Sequence, residues 1–238
     1  MDERGDKKIY MKIKDKIYDK KIVIKPWGYE YVAYRNKNKL AITFLNINYK
    51  KKTSLHCHPN KKTGFILLDG VAEIQLGLWR SKTKKFKSPS KLMIRKALFH
   101  SIKAVSKNGI KALEFETPVK KNDLVRYEDS YGRKAKPYEG SKFIKKLYKK
   151  DILFQEPKVG KPQNYKVDHS KVSLEVHKNF KTIVSKKMST IFAVIDGSIV
   201  DKQNRNICSK GDIVKTGTFK KLAKNFKIKK QLTLLSVN

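Results

Sequence analysis

Short apolar runs with a period of two recur along the first half of the chain, at residues 22–24, 29–34, 40–47, 64–68, 72–76, 92–94 and 110–116. They are rich in β-branched and aromatic residues, and clusters of Gly, Asn, Lys and Ser separate them at the spacing of a sandwich or barrel. The pattern predicts an all-β unit. From Pro118 to about Lys171 the texture turns polar, with Tyr131-Gly132-Arg133 and Lys136-Pro137-Tyr138-Glu139-Gly140 as turn-like punctuation. Only residues 141–150 have helical spacing there, with Ser141 as N-cap and Phe143, Ile144 and Leu147 on one face. The stretch reads as a connector that wraps the first barrel. Short strands resume from about Val172 to Asn238.

The C-terminal part echoes the first. Phe65-Ile66-Leu67-Leu68-Asp69-Gly70 matches Phe192-Ala193-Val194-Ile195-Asp196-Gly197, and residues 91–100 lie against 211–220 with Phe99 on Phe219. A repeat of this size implies two copies of one β unit. The expected organisation is an N-terminal extension (1–24), a first β domain (25–118), the connector (119–171) and a degenerate second copy (172–238).

Chemistry concentrates in the first copy. Three of the five histidines are His56, His58 and His100. In a strand alternate side chains share a face, so in Leu55-His56-Cys57-His58 the two imidazoles point the same way. His100, in Leu98-Phe99-His100-Ser101-Ile102, supplies a third from another strand-like run. Three imidazoles suit a divalent metal such as Zn, Mn, Fe or Ni with positions left open. Continuing the two repeat registers sets His56 against Ile183, His58 against Ser185 and His100 against Lys220, so the whole trio is absent from the second copy. His169 and His177 lie outside the motif positions and read as surface or packing residues.

Formal net charge is +36, from 57 Lys+Arg against 21 Asp+Glu. Charge alone suggests a polyanion, yet only seven of the 57 are arginine, and no recognition helix, zinc-finger spacing or RNA-binding aromatic motif accompanies them. The reading is therefore against nucleic acid and for a solvated basic surface that attracts small anionic substrates. Cys57 and Cys208 are too few for a disulfide framework. The charged start lacks the apolar core of a signal peptide, and no run of about eighteen apolar residues exists. The expectation is a cytoplasmic protein without a membrane span. Exposed edge strands suggest pairing into a homodimer.

The segment from Thr53-Ser54-Leu55-His56-Cys57-His58 to Asp69-Gly70 resembles the first metal motif of the cupin superfamily, and Met93–Ala104 resembles the second. The resemblance implies a double-stranded β-helix, or jelly roll, in a two-unit chain whose second half is degenerate. It assigns His56, His58 and His100 as metal ligands. It also implies a glutamate ligand near Lys62–Gly64, which this chain lacks; Glu73, Glu114 and Glu116 are the nearby carboxylates. Lys25-Pro26-Trp27-Gly28-Tyr29-Glu30 resembles a segment of sugar-handling cupins similar to mannose-6-phosphate isomerase, where Trp27 would cap the barrel or stack on a sugar.

The function implied is a metal-dependent isomerase or epimerase acting on a phosphorylated or nucleotide-linked sugar in surface polysaccharide synthesis. Glu114, Glu116 or a lysine whose pKa is lowered by burial would be the base; Lys25, Trp27, Lys62 and Arg126 would bind substrate. Lys51, Lys61 and Lys103 join Lys62 in the expected lysine-rich mouth, and Arg133 is a second arginine able to clamp phosphate. An iron-dependent cupin dioxygenase and a non-enzymatic sugar- or polyanion-binding module are the alternatives.

Overall fold

The computed structural model describes residues 20–37, 39–79, 81–120, 123–133, 143–149 and 151–238. Strands β1 (Lys21–Lys25) and β2 (Gly28–Asn36) lead into eight more: β3 (Leu40–Ile47), β4 (Leu55–Cys57), β5 (Lys62–Asp69), β6 (Val71–Leu76), β7 (Thr83–Lys87), β8 (Ser90–Ile94), β9 (His100–Ala104) and β10 (Ile110–Thr117). One antiparallel sheet contains the order β3-β10-β5-β8 and a second contains β4-β9-β6-β7. From β3 to β10 the chain thus crosses from one sheet to the other at every step except the β6–β7 hairpin, which is the winding of a jelly roll or double-stranded β-helix. β1 and β2 widen the larger sheet beside β3. Among the described residues no helix is long and apolar enough to cross a membrane.

The segment read as a connector adds strands to both sheets. β11 (Val125–Glu128) extends the smaller sheet by pairing with β4, and β12 (Ile144–Lys146) closes the larger one by pairing with β1. The expected helix over 141–150 is therefore corrected: Ile144 pairs with Val23 and Lys146 with Lys21 in a strand, while Ser141 lies outside the described residues. Main-chain groups along the edge of β1 need partners, and pairing there outweighs a weak three-residue apolar spacing. The Leu124–Asp129 region, part of the expected connector, is likewise mostly strand.

β13 (Gln163–Val167), β14 (Ser170–His177), α1 (Lys181–Val184), β15 (Ile191–Val200), β16 (Asn206–Ser209), β17 (Ile213–Lys215), α2 (Thr216–Asn225) and β18 (Lys227–Val237) complete the chain. Here β14 pairs with β18, β18 with β15, and β15 with β17, the same order as β3-β10-β5-β8. The matched Phe65 and Phe192 fall on the equivalent strands β5 and β15. Gly70 and Gly197, at φ +85° and +80°, follow at the equivalent bends. At Gly197 a Cβ would lie 2.1 Å from the carbonyl oxygen of Gln231, so only glycine fits.

Beyond this shared strand order the two parts of the chain differ. Where β4 lies between β3 and β5, α1 lies between β14 and β15; where β9 lies between β8 and β10, α2 lies between β17 and β18. Both histidine-bearing strands are thus replaced by helices. Phe219 sits on α2, fully buried against Phe192, whereas its sequence counterpart Phe99 is half-buried just before β9 beside Tyr127. The two aligned rings thus stand on unlike elements, and Phe219 is the more deeply buried.

Three apolar layers hold the stack together. Leu45, Phe65, Leu67, Ile74, Ile102 and Ala112 fill the roll. Ile66, Leu68, Leu113 and Phe115, on the opposite face of the larger sheet, pack with Leu174, Ile191, Ala193 and Leu235 of the C-terminal sheet. Phe192, Val194, Phe219 and Leu234 form the third layer under α2. Because β5 is buried on both faces, its apolar run Phe65–Leu68 is continuous rather than alternating. The two sheets meet so closely that a Cβ at Gly64 would lie 2.6 Å from Cδ1 of Ile213.

Candidate metal centre

β4 and β9 are antiparallel neighbours, and His56 lies directly opposite His100. His58 follows β4, on the same side as His56. Ring centroids are separated by 5.0 Å (His56–His58), 4.5 Å (His56–His100) and 5.4 Å (His58–His100). One nitrogen from each ring falls within 4.8 Å of the others, the cluster among the described residues able to hold a metal ion.

The main chain fixes which nitrogen each ring presents. Nδ1 of His56 donates to the carbonyl of Ser54 at 2.8 Å, Nδ1 of His58 to that of Asp123 at 2.6 Å, and Nδ1 of His100 to that of Leu98 at 3.0 Å. A carbonyl only accepts, so each Nδ1 carries the proton and each Nε2 keeps a lone pair. Nε2 of His58 and Nε2 of His100 are buried with no hydrogen-bond partner. Leaving a buried polar atom unsatisfied costs about 1–3 kcal/mol, which a cation bound at these nitrogens would recover. Burial, followed by the neighbouring His100 and His58, holds His56 well below the usual histidine range. Burial and then Lys61 push His58 down to about 3, and burial chiefly pushes His100 down to about 4. All three rings are neutral at pH 7, the state that binds metal. The donor set, its tautomers and its unsatisfied atoms fit a divalent cation.

The place of the missing glutamate is explained by strand parity. On β5, Lys62 and Gly64 face the C-terminal sheet, with Lys62 Nζ 2.7 Å from Asp212, whereas Thr63 and Phe65 face into the roll. Thr63 and, one inward step earlier, Lys61 thus occupy the side on which an acidic ligand would stand. Lys61 is buried and ion-paired with Glu116 of β10. Burial alone would lower its pKa, but the charges of Glu116 and Glu114 outweigh that and hold it above the ordinary lysine value. Asp123 braces the same turn: its carboxylate accepts from the Asn60 and Lys61 main-chain N–H groups and from Asn60 Nδ2, while its carbonyl holds His58.

The three histidines, Lys61, Phe65 and Glu116 line a cavity of about 750 Å³, counted out to its open mouth. Among the residues expected from sequence, His56, His58, His100, Glu114, Glu116, Lys25, Trp27 and Arg126 all line it. Arg126 stands opposite His56 on β11, and Lys25 is 3.4 Å from Glu30. Trp27 is buried within the core of the roll as well as lining the cavity. Lys62 lies outside, turned toward Asp212; Lys51 is exposed, and Lys103 faces Glu73 at 3.8 Å. Arg133 lines the mouth, bonded to Asp129 at 2.7 Å. Neither Glu114 nor Glu116 joins the cation-binding cluster, and Glu73 pairs with Lys103 instead. Asp123 had no sequence signal, since its partners lie more than sixty residues away.

No protein-family model matches the chain, and no curated protein does. Solved structures with a similar fold include an uncharacterized conserved protein with a double-stranded β-helix domain from Klebsiella pneumoniae, at 13% identity and TM-score 0.36, covering 40% of this chain and 76% of that one. The capsular polysaccharide assembling protein CapF from Staphylococcus aureus matches at 10% identity and TM-score 0.40, over 45% of this chain and 34% of its own. A sugar phosphate isomerase of the cupin superfamily from Silicibacter pomeroyi matches at 8% identity and TM-score 0.31, over 34% and 52%.

Proposed function

We propose that the chain is a metal-dependent isomerase or epimerase acting on a phosphorylated or nucleotide-linked sugar, cytoplasmic and serving surface polysaccharide synthesis. The observation that carries this reading is the convergence of three imidazoles whose Nδ1 protons are each committed to a backbone carbonyl. His56, His58 and His100 would hold Zn, Mn, Fe or Ni. A divalent ion held there would supply Lewis acidity toward a carbonyl oxygen and would favour loss of a proton from the adjacent carbon.

The remaining residues divide the other tasks. Glu114 is half-buried on the inward face of β10, and we assign it to proton abstraction, because it lines the cavity and keeps some exposure to solvent. Glu116, held by Lys61, is the carboxylate of a fixed ion pair that presents an ammonium to the developing oxyanion. Arg126 and Lys25 face the cavity from opposite sheets and suit the phosphate of the substrate, with Trp27 offering an apolar surface to the sugar. The apolar walls of Leu45, Phe65 and Ile102 exclude water from the reacting end.

An all-imidazole donor set also supports a second reading, an iron-dependent dioxygenase. One experiment separates them. Metal content is measured for the wild type and for the double variant His56→Ala/His58→Ala, and the metal-loaded protein is then incubated with sugar phosphates and nucleotide sugars in deuterated water. The expected result is bound metal lost in the double variant, and deuterium entering the substrate next to the carbonyl in the wild type but not in Glu114→Gln. Oxygen uptake dependent on Fe(II) would replace this reading with the second. Absence of bound metal in the wild type would reduce the site to a sugar-binding module.

A further inference from the structure

The charge balance of the cavity narrows what must enter it. The cation-binding atoms are all neutral imidazole nitrogens, and no carboxylate lies among them. Lys61 is close enough for its charge to act on all three rings. Glu116 offsets that ammonium but is engaged with it on the far side of β5 from Lys62. Around the lining as a whole, Lys and Arg side chains outnumber Glu side chains by four to three. Asp129, bonded to Arg133 just outside the lining, brings the two signs level, so a divalent ion would bring two uncompensated charges into a buried pocket with no anionic surplus to meet them. Uncompensated charge in such a place is costly.

We propose that Lys61, with Thr63 in the inward position suited to an acid, makes cation binding at His56, His58 and His100 conditional on an anionic oxygen ligand, so that metal and anion enter as a pair. This rests on the metal site proposed above and adds the class of its partner: a small molecule whose carboxylate, enediolate or hydroxy-acid oxygens reach the ion while its charge replaces the absent protein carboxylate. Coupling between two ligands is reciprocal, so the anion tightens the metal by the factor with which the metal tightens the anion.

The test is a competition titration of the metal-free, full-length protein with Zn²⁺ against a chromophoric chelator. It is run in glycolate and in perchlorate at equal ionic strength, with a chelator-only blank in each to account for glycolate binding Zn²⁺ in solution. Glycolate should tighten Zn²⁺ by about tenfold, inside the roughly 5–150-fold span usual for coupled sites. Thr63→Glu supplies the missing charge from the chain itself: its Zn²⁺ affinity should be high in both salts, with the coupling falling to about twofold or less. Lys61→Met/Glu116→Gln removes both buried charges together, so it avoids stranding either one, and should also shrink the coupling. Equal Zn²⁺ affinity of the wild type in the two salts, or undiminished coupling in both variants, overturns the inference and leaves the metal site standing. Absence of Zn²⁺ binding in either salt overturns the metal site itself.

Discussion

Replacing Glu116 with glutamine isolates the energetics of the ion pair at the floor of the cavity. The Lys61 and Glu116 side chains are 3% and 7% exposed, so solvent and salt screen their interaction little. Taking away the carboxylate strands a buried ammonium, a change that costs roughly 3–5 kcal/mol in comparable sites. The lower end, about 3 kcal/mol, applies here, because Glu114 also acts on Lys61 and remains in place. Urea unfolding followed by tryptophan fluorescence measures the loss, with an unchanged dependence on denaturant showing that the folded state is intact. Lys61→Met/Glu116→Gln should recover to within about 1 kcal/mol of wild type, since neither charge is then left alone. The pH dependence has a definite sign. The folded-state pKa of Lys61 lies above its unfolded value of 10.5, so the pair's stabilisation is complete below that value and fades as pH rises through the folded one. A Glu116→Gln loss under about 0.5 kcal/mol, as for a solvent-exposed pair, would refute the buried arrangement.

Other consequences follow from the same geometry. The metal-free protein should lose stability as pH falls from 6.5 toward about 4 and 3, because the folded values of His100 and His58 lie below the unfolded one and protons then favour the unfolded chain; a melting curve flat across that range would contradict the burial of the rings. His177, also lowered by burial, contributes in the same direction, so the control is His177→Gln, which should leave most of the effect. Asp123→Ala removes the acceptor for the Asn60 and Lys61 N–H groups; it should destabilise by about 2 kcal/mol and weaken Zn²⁺ by about tenfold, read by calorimetry and chelator competition. Gly64→Val drives a side chain into Ile213 and should cost about 1–3 kcal/mol in thermal unfolding.

The parts of this molecule that could be read from sequence are those governed by local periodicity. β3, β5, β6 and β10 announce themselves as apolar runs, and the strand spacing of His56 and His58 with a later His100 anticipates the cluster that forms. What escaped depends on distant partners or on a single-residue phase. β7 reads Thr83-Lys84-Lys85-Phe86-Lys87 and carries no apolar stripe, because it is an exposed edge where lysines discourage further pairing. β11 and β12 are short, and only their neighbours β4 and β1 make them strands. Lys61 and Lys62 differ by one step, and that step sends one into the roll and the other toward Asp212. The brace formed by Asp123 joins residues that no local pattern connects.

Along β10, Glu114 and Glu116 look into the roll while Leu113 and Phe115, one peptide bond away, are fastened to the C-terminal sheet. The chain's last third is in this sense a splint for the histidine-bearing half: cutting it away would bare Ile66, Leu68, Leu113 and Phe115 to water at a stroke. A minimal version of the protein trimmed to the histidine-bearing strands would be expected to precipitate, whatever the quality of its binding groups.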